Sequence, residues 1–312
     1  MKPEILVIKQ IYAPALAELE REYTLHKLWT ARDPDAFTKE VSGRVRGVVT
    51  TGLAGLSRSH IEAFPKLEII ACFGTPHGTL DFAAAKERGV VVTNTPDSIA
   101  APVADVALGL MLAVMRRICE SDRFVRAGKW IQGPMPMGRG LGGKTCGIIG
   151  LGRIGREIAK RAEAFGMSVC YHGPRRKPDV QYPYYADLES MARQSDCLVV
   201  ACWATLATRN LVDARILAAL GPEGFLINIA RGSIVDEQAL IAALGDGRIA
   251  GAGLDVFRDE PRVPAELIGM DNVVLLPHMG SSTREIREER GRKLLANLRA
   301  HFAGEPVLTP MG

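Results

Sequence analysis

Short apolar runs rich in β-branched residues alternate with helical patterns along the whole chain. This alternation constrains the fold more than any other feature. The first set is EILVI (4–8), RGVVT (46–50), LEIIAC (67–72) and VVVT (90–93), with helical stretches around 14–22, 58–64 and 81–88. The second set is TCGIIG (145–150), MSVCYH (167–172), CLVVAC (197–202), FLINIA (225–230), IAGAGLDVF (249–257) and NVVLLPH (272–278), again separated by helical patterns. Strands that are apolar throughout, joined by crossover helices, build parallel sheets buried on both faces. Two such sets in series predict an α/β chain of two doubly wound parallel-sheet domains. A length of 312 residues suits two domains, at roughly 100–200 residues each. The turn-like NTPDS (94–98) precedes an apolar helix at 103–118 and marks a crossing point. The last helical pattern, near Thr283 to Phe302, is followed by no strand except PVLT (306–309), and it is expected to return to the first domain. The expected division is therefore 1–98 with 285–312, and 99–284.

Composition removes several function classes. Hydrophobic residues at 47% and charged residues at 24% are ordinary for a folded chain and argue against disorder. A net charge of +4, from 39 basic and 35 acidic residues, is no footprint for nucleic acid. The longest apolar candidate, VADVALGLMLAVM (Val103–Met115), contains Asp105 and stops at Arg116-Arg117. It falls short of the roughly 18 apolar residues that span a bilayer, so it reads as a buried helix. MKPEILVIKQ lacks the long apolar core of a signal peptide. None of the six cysteines forms a CxxC pair, and Cys72, Cys146, Cys170 and Cys197 lie in or beside strand-like runs. Buried reduced thiols, and with them a cytoplasmic location, are the expectation.

The segment Gly150-Leu151-Gly152-Arg153-Ile154-Gly155 follows a strand and opens a helix. That context gives its glycines physical roles. Gly150 permits a tight turn, Gly152 lets backbone approach a pyrophosphate, and Gly155 lets helix and strand pack closely. The anion then rests on free N–H groups at the helix N-terminus. In NAD sites an acidic residue about 20 residues further on binds the ribose 2′-hydroxyl. Here the strand MSVCYH runs into Gly173-Pro174-Arg175-Arg176-Lys177, and the acid is absent. Two arginines attract a 2′-phosphate and can bind it bidentately. Each charged hydrogen bond is worth about 1.5–3 kcal/mol, enough to shift preference by about 10- to 1,000-fold. NADPH is expected over NADH, with NADH still usable; the alternative is a solvated basic loop.

Three polar residues stand after three late strands: Arg231 after FLINIA, Glu260 after GLDVF, and His278 after VVLLP. In an open α/β sheet ligands lie beyond the carboxyl ends of the strands, so these three are expected to meet at one sheet edge. A guanidinium can fork onto an α-keto carboxylate and polarise the carbonyl. An imidazolium can protonate the carbonyl oxygen as hydride arrives at carbon. A nearby carboxylate favours the charged imidazole. The set suits reduction of a 2-keto acid. Each residue also has a plainer reading, as a turn cap, a solvated loop charge and a satisfied core histidine respectively.

GLGRIG (150–155), INIARGSIVDEQAL (227–240), GAGLDVFRDEP (251–261) and LPHMGSST (276–283) resemble, in order and spacing, the signatures of the D-isomer-specific 2-hydroxyacid dehydrogenases. NTPDSIAAPVADVALGLMLAVMRRICESDRFVRAGKW (94–130) is similar to the glyoxylate/hydroxypyruvate reductase and hydroxyphenylpyruvate reductase branch. The resemblance implies two Rossmann-like or flavodoxin-like domains with a cleft between them. The first would bind substrate and the second the dinucleotide. It implies Arg231 as carboxylate anchor, His278 as acid/base and Glu260 as its partner. Asp255 would hold the nicotinamide carboxamide, with Ile229, Ala230 and Gly280 near the ring. Cys202, Thr205 and Thr208 would line the cofactor groove. Leu53, Ala54, Gly55 and Gly74 would meet the substrate, the first three through backbone N–H groups. The usual assembly is a homodimer through the cofactor domains.

The chain also departs from the family pattern. After the third strand the family commonly carries VGYD or VGLD; here the loop reads Phe73-Gly74-Thr75-Pro76-His77-Gly78-Thr79-Leu80-Asp81. His77 could meet a hydroxylated substrate or simply be solvated. Trp203 stands where a proline or small residue is common, and would restrict the cofactor groove or pack under it. Pro134-Met135-Pro136-Met137 lies where relatives insert a loop into the neighbouring subunit's substrate site, and two methionines would make an adaptable apolar wall. Glyoxylate, hydroxypyruvate, an aryl pyruvate and 2-ketogluconate all remain open as substrates. Formate oxidation is disfavoured, because Pro277 stands where formate-oxidising relatives carry Gln. A dinucleotide-sensing binding module is the rival from another class. Such modules carry interaction tails, which are not evident in this sequence ending at Gly312.

Overall fold

The structure is a computed structural model, and it describes residues 2–52, 54–76, 80–96 and 99–311. The chain divides into two compact units, 1–98 with 282–312, and 99–281. The first unit carries β1 (Glu4–Val7), α1 (Ala13–Glu22), β2 (Thr24–Lys27), α2 (Pro34–Val41), β3 (Val45–Thr51), α3 (Arg58–Glu62), β4 (Ile69–Phe73), α4 (Phe82–Glu87) and β5 (Val91–Thr93). The second carries α5 (Ala100–Met115), α6 (Ile118–Arg126), β6 (Thr145–Ile149), α7 (Arg153–Ala164), β7 (Ser168–His172), β8 (Tyr184–Tyr185), α8 (Leu188–Arg193) and β9 (Cys197–Val200). It continues through α9 (Ala214–Leu220), β10 (Phe225–Asn228), α10 (Glu237–Gly245), β11 (Gly251–Leu254), α11 (Ala265–Ile268) and β12 (Val273–Leu275). α12 (Arg284–Phe302) and β13 (Pro310–Met311) complete the first unit.

The first unit's sheet has the order β13-β5-β4-β3-β1-β2, parallel except for β13. The second unit's sheet has the order β12-β11-β10-β9-β6-β7-β8 and is parallel throughout. Successive residues of a strand point to opposite faces. On β9, Cys197 and Val199 enter one hydrophobic cluster while Leu198 and Val200 enter another. On β4, Ile69, Ala71 and Phe73 enter one cluster and Ile70 the other. Both faces of both sheets are therefore covered, which is why these strands read as unbroken apolar runs rather than alternating ones.

The apolar segment near residue 103 is α5, packed inside the second unit through Ala104, Ala107, Leu110 and Met111. A Cβ on Gly253 would stand 2.9 Å from Leu110 Cβ, and one on Gly251 2.8 Å from Val114. Glycine in β11 is what lets this helix lie so close. Asp105 sits on the exposed side, 2.6 Å from Arg161 of α7. No described helix is long and apolar enough to cross a membrane.

α12 starts at the N-cap Thr283, whose hydroxyl accepts the Ile286 N–H at 3.3 Å. Leu294, Leu295 and Leu298 then enter the first unit's core. The buried Asn297 accepts N–H groups from Leu308 and Thr309 and ties down the C-terminal segment.

The local expectations need four corrections. The terminal strand is Pro310–Met311, antiparallel to β5, and not 306–309, where Asn297 takes the N–H groups of Leu308 and Thr309. Sequence reading missed β2, whose TLHK is polar because it is a half-exposed edge strand. It missed the two-residue edge strand β8, and it missed α2, which starts at the Asp33 N-cap with Pro34 at its first position. All six cysteines are free. Burial pushes the thiols of Cys72 and Cys146 up to about 12 and that of Cys202 up to about 11, so they stay protonated near neutrality.

Candidate active site

The carboxyl ends of the second unit's strands carry the expected site residues in two groups. The first surrounds β6, between β7 and β9. The chain leaves β6 at Gly150, which has φ +97° and donates its N–H to the His172 carbonyl at 2.9 Å. A Cβ there would stand 2.6 Å from Cys202 Cα, so the turn presses against the loop after β9. Gly152 is the N-cap of α7 and faces open space, and no side chain caps that helix. Its first-turn N–H groups are thus available to an anion. A Cβ on Gly155 would stand 2.2 Å from the Gly150 carbonyl oxygen and 3.3 Å from Ile148. The three glycines thus have three separate steric reasons, and the cradle fits a pyrophosphate.

At the tip of β7, Gly173 also faces open space, and its carbonyl accepts the Tyr184 hydroxyl. Pro174, Arg175 and Arg176 are exposed. Neither arginine is paired with a carboxylate among the described residues. Asp179, the first acid after them in the chain, is held by Arg156 at 2.8 Å. At the tip of β9, Thr205 and Thr208 form a capping box. The Thr208 hydroxyl also donates to the Trp203 carbonyl at 2.8 Å. The two hydroxyls thus brace their own loop.

The second group occupies the tips of β10, β11 and β12. His278 Nδ1 lies 2.6 Å from Glu260 Oε2. Glu260 Oε1 in turn accepts the Phe257 N–H at 3.0 Å. The carboxylate takes the proton at Nδ1, which leaves Nε2, with no partner among the described residues, as the exchangeable nitrogen. His278 has φ +52°, a left-handed conformation that is uncommon without glycine. Asp255 supports it. Its carbonyl accepts the His278 N–H at 2.9 Å, and its carboxylate accepts the N–H groups of Met279 at 2.7 Å and Gly280 at 2.9 Å. Asp255 is buried, and that burial pushes its carboxyl above the ordinary value while the two amides pull it down.

Arg231 follows β10 and donates to the Ala230 carbonyl at 2.6 Å. Its turn is built by Asn228, which accepts the Ala230 N–H and donates to the Arg231 carbonyl, both at 3.1 Å. Ile229 and Ala230 are buried beneath it. A Cβ on Gly232 would stand 2.0 Å from the Phe257 carbonyl carbon, so only glycine lets the Arg231 turn lie against the segment that leads to Glu260. The structure pairs His278 with Glu260 directly and brings Arg231 to the same sheet edge with no hydrogen bond or ion pair to either. One supporting residue escaped sequence reading, and a second was expected in another role. Asn228 could have been found as the lone polar residue in an apolar strand. Asp255 was noticed, but its hold on residues 278–280 was not.

In the first unit, the amides expected to meet a substrate are engaged locally. Ala54 N–H donates to the Thr51 hydroxyl and Gly55 N–H to the Thr51 carbonyl, both at 3.2 Å. Gly74 N–H donates to the Thr95 hydroxyl at 2.7 Å. Leu53 and His77-Gly78-Thr79 lie outside the described residues. No cluster of three or more metal-ligating side chains occurs among the described residues.

Residues 108–280 match the model of the D-isomer specific 2-hydroxyacid dehydrogenase NAD binding domain. The chain belongs to the D-isomer specific 2-hydroxyacid dehydrogenases. It is an oxidoreductase of that family, with a nicotinamide dinucleotide as cofactor. An Arabidopsis thaliana protein named glyoxylate/hydroxypyruvate reductase A is 48% identical over 94% of each chain. The structure of a 2-hydroxyacid dehydrogenase from Ketogulonicigenium vulgare is 43% identical, with a TM-score of 0.93 over 100% of this chain and 99% of that one. An NADPH-dependent glyoxylate/hydroxypyruvate reductase from Sinorhizobium meliloti, solved in complex with NADP and malonate, is 38% identical. Its TM-score is 0.83, over 100% of this dehydrogenase and 97% of that chain.

Proposed function

We propose that this dehydrogenase is an NADPH-preferring reductase that converts a 2-keto acid, of the glyoxylate and hydroxypyruvate class, to the D-2-hydroxy acid. The observation that carries the reaction is the His278–Glu260 pair at the tips of β11 and β12, with Arg231 at the tip of β10. When bound, the nicotinamide supplies a hydride to the keto carbon. Glu260 holds Nδ1, so His278 donates its Nε2 proton to the carbonyl oxygen in the same step. Arg231 anchors the substrate carboxylate and polarises the carbonyl. Asp255 positions the histidine through residues 278–280; its burial behind those amides makes this its main task, with the carboxamide of the nicotinamide as a further partner.

The preference for NADPH rests on the two unpaired arginines at the β7 tip and the missing acid. The NADPH dependence of the Sinorhizobium relative supports it. Larger 2-keto acids, aryl pyruvates and 2-ketogluconate, remain within the same chemistry. A homodimer is the proposed assembly, because Ile118, Val125, Trp130, Ile131 and Met137 form an exposed apolar set on and after α6. Six free cysteines, most of them buried, suit a reducing compartment such as the cytoplasm.

The test is cofactor oxidation with NADPH and NADH across glyoxylate, hydroxypyruvate, phenylpyruvate, hydroxyphenylpyruvate and 2-ketogluconate. Turnover with NADPH exceeding that with NADH on the small keto acids is expected. Tight NADPH binding with no turnover on any of them would point to a sensor and refute the reductase.

A further inference from the structure

Trp203 is the first residue beyond Cys202, which packs against the Gly150 turn, and it is 82% exposed. Leu206, three residues on, is 92% exposed. Both stand on a loop closed by the Thr205–Thr208 box and by the Thr208 hydroxyl on the Trp203 carbonyl. Aromatic side chains bury large apolar areas, so an indole held out in water on a hydrogen-bonded loop at a ligand-binding edge calls for a partner. The strand order says which strand tips are its neighbours. β6 lies between β7 and β9, and the pyrophosphate cradle leads from β6 into α7. On the proposed reading of the site, the adenosine ribose is held at the tip of β7, by Gly173 and the arginines. The adenine attached to that ribose then has the β7 tip on one side and the loop after β9 on the other. Gly152 and Gly173 both face open space, so no side chain of theirs competes for that position.

We propose that Trp203 forms one wall of the adenine subsite and stacks on the base, with Leu206 covering its edge. The inference rests on the dinucleotide reading of the site and deepens it. The indole makes the adenine half of the cofactor an affinity anchor alongside the arginines. Base stacking on an aromatic side chain typically changes affinity by about tenfold or more when the ring is removed.

The experiment measures binding, not turnover. The whole protein is titrated by calorimetry with 2′,5′-ADP, which carries adenine and the 2′-phosphate, and with nicotinamide mononucleotide. The native chain is expected to bind 2′,5′-ADP and to show quenched tryptophan fluorescence on doing so. W203L and W203A are expected to weaken 2′,5′-ADP by about tenfold, while W203F stays within about threefold of native. Nicotinamide mononucleotide binding and the melting temperature should not move, because so exposed a ring contributes little to packing. If W203L binds 2′,5′-ADP as the native chain does, the stacking proposal fails and the cofactor reading stands. Equal weakening of both half-cofactors would mean a collapsed loop and would overturn it too. A native chain that binds neither 2′,5′-ADP nor NADPH would remove the cofactor reading beneath it.

Discussion

The two halves of the second unit's strand tips are built in opposite ways. Around β6, β7 and β9 the groups are left open: Gly152 and Gly173 face space, Arg175 and Arg176 lack carboxylate partners, and Trp203 stands in water. Around β10, β11 and β12 the catalytic candidates are braced by their neighbours. Glu260 bridges Phe257 and His278, Asp255 holds Met279 and Gly280, and Asn228 ties the Arg231 turn. The contrast fits the proposed tasks of the two halves. A binding surface supplies unsatisfied groups for a ligand to satisfy. An acid catalyst must already point the right way before substrate arrives, because misplacement costs rate directly.

Variants can break each half separately. The largest effect is expected from His278→Ala, which removes the proposed proton donor. Its kcat should fall by about 10²–10⁴-fold, with NADPH affinity close to native in a fluorescence titration. Near-native turnover would show that another group delivers the proton. Next is the double exchange R175S/R176S. The dissociation constant for NADPH should rise by about 10- to 1,000-fold, and that for NADH should move little. Equal effects on both would make the arginines a general surface charge.

The smallest of the three is Asp255→Asn. An amide NH2 in place of one oxygen leaves a buried N–H of residue 279 or 280 facing a donor, a cost of about 1–3 kcal/mol. If that loosens His278, kcat drops by about ten- to a hundredfold, with a smaller loss of cofactor affinity from the altered carboxamide contact. Asp255 also predicts a sign. Its carboxyl is raised in the folded chain, chiefly by burial. Its contribution to stability is present below the ordinary aspartate value and is lost as pH rises through the raised one. Asparagine does not titrate. The melting temperature of the variant, relative to native, should therefore improve as pH rises through that range.

Much of this was legible in the sequence, and the residues show why. The glycines of the β6 turn could be assigned because each answers a local steric demand that only glycine meets. The strands and α5 could be found because burial on both faces leaves an unbroken apolar run. Arg231, Glu260 and His278 could be picked because each follows a strand, and sheet topology gathers strand ends. The rest was hidden for physical reasons. β2 carries a polar edge sequence, and Asn297 suppresses a strand at 306–309 from across a turn. The Asp255 brace spans 25 residues and is made to backbone amides, which leave no mark in the side-chain sequence. The amides of Ala54 and Gly55 were expected to meet substrate, but Thr51 engages them.

The account stands on the division of labour between the two halves. The most direct measurement sets His278→Ala beside R175S/R176S in one pre-steady-state experiment that follows NADPH binding and then its oxidation by glyoxylate or hydroxypyruvate. The account predicts a crossover: the histidine variant binds NADPH as native does and oxidises it slowly, and the arginine variant binds weakly but oxidises at near-native rate once saturated. If binding and oxidation fall together in both variants, the two halves are not separate devices and the account is wrong.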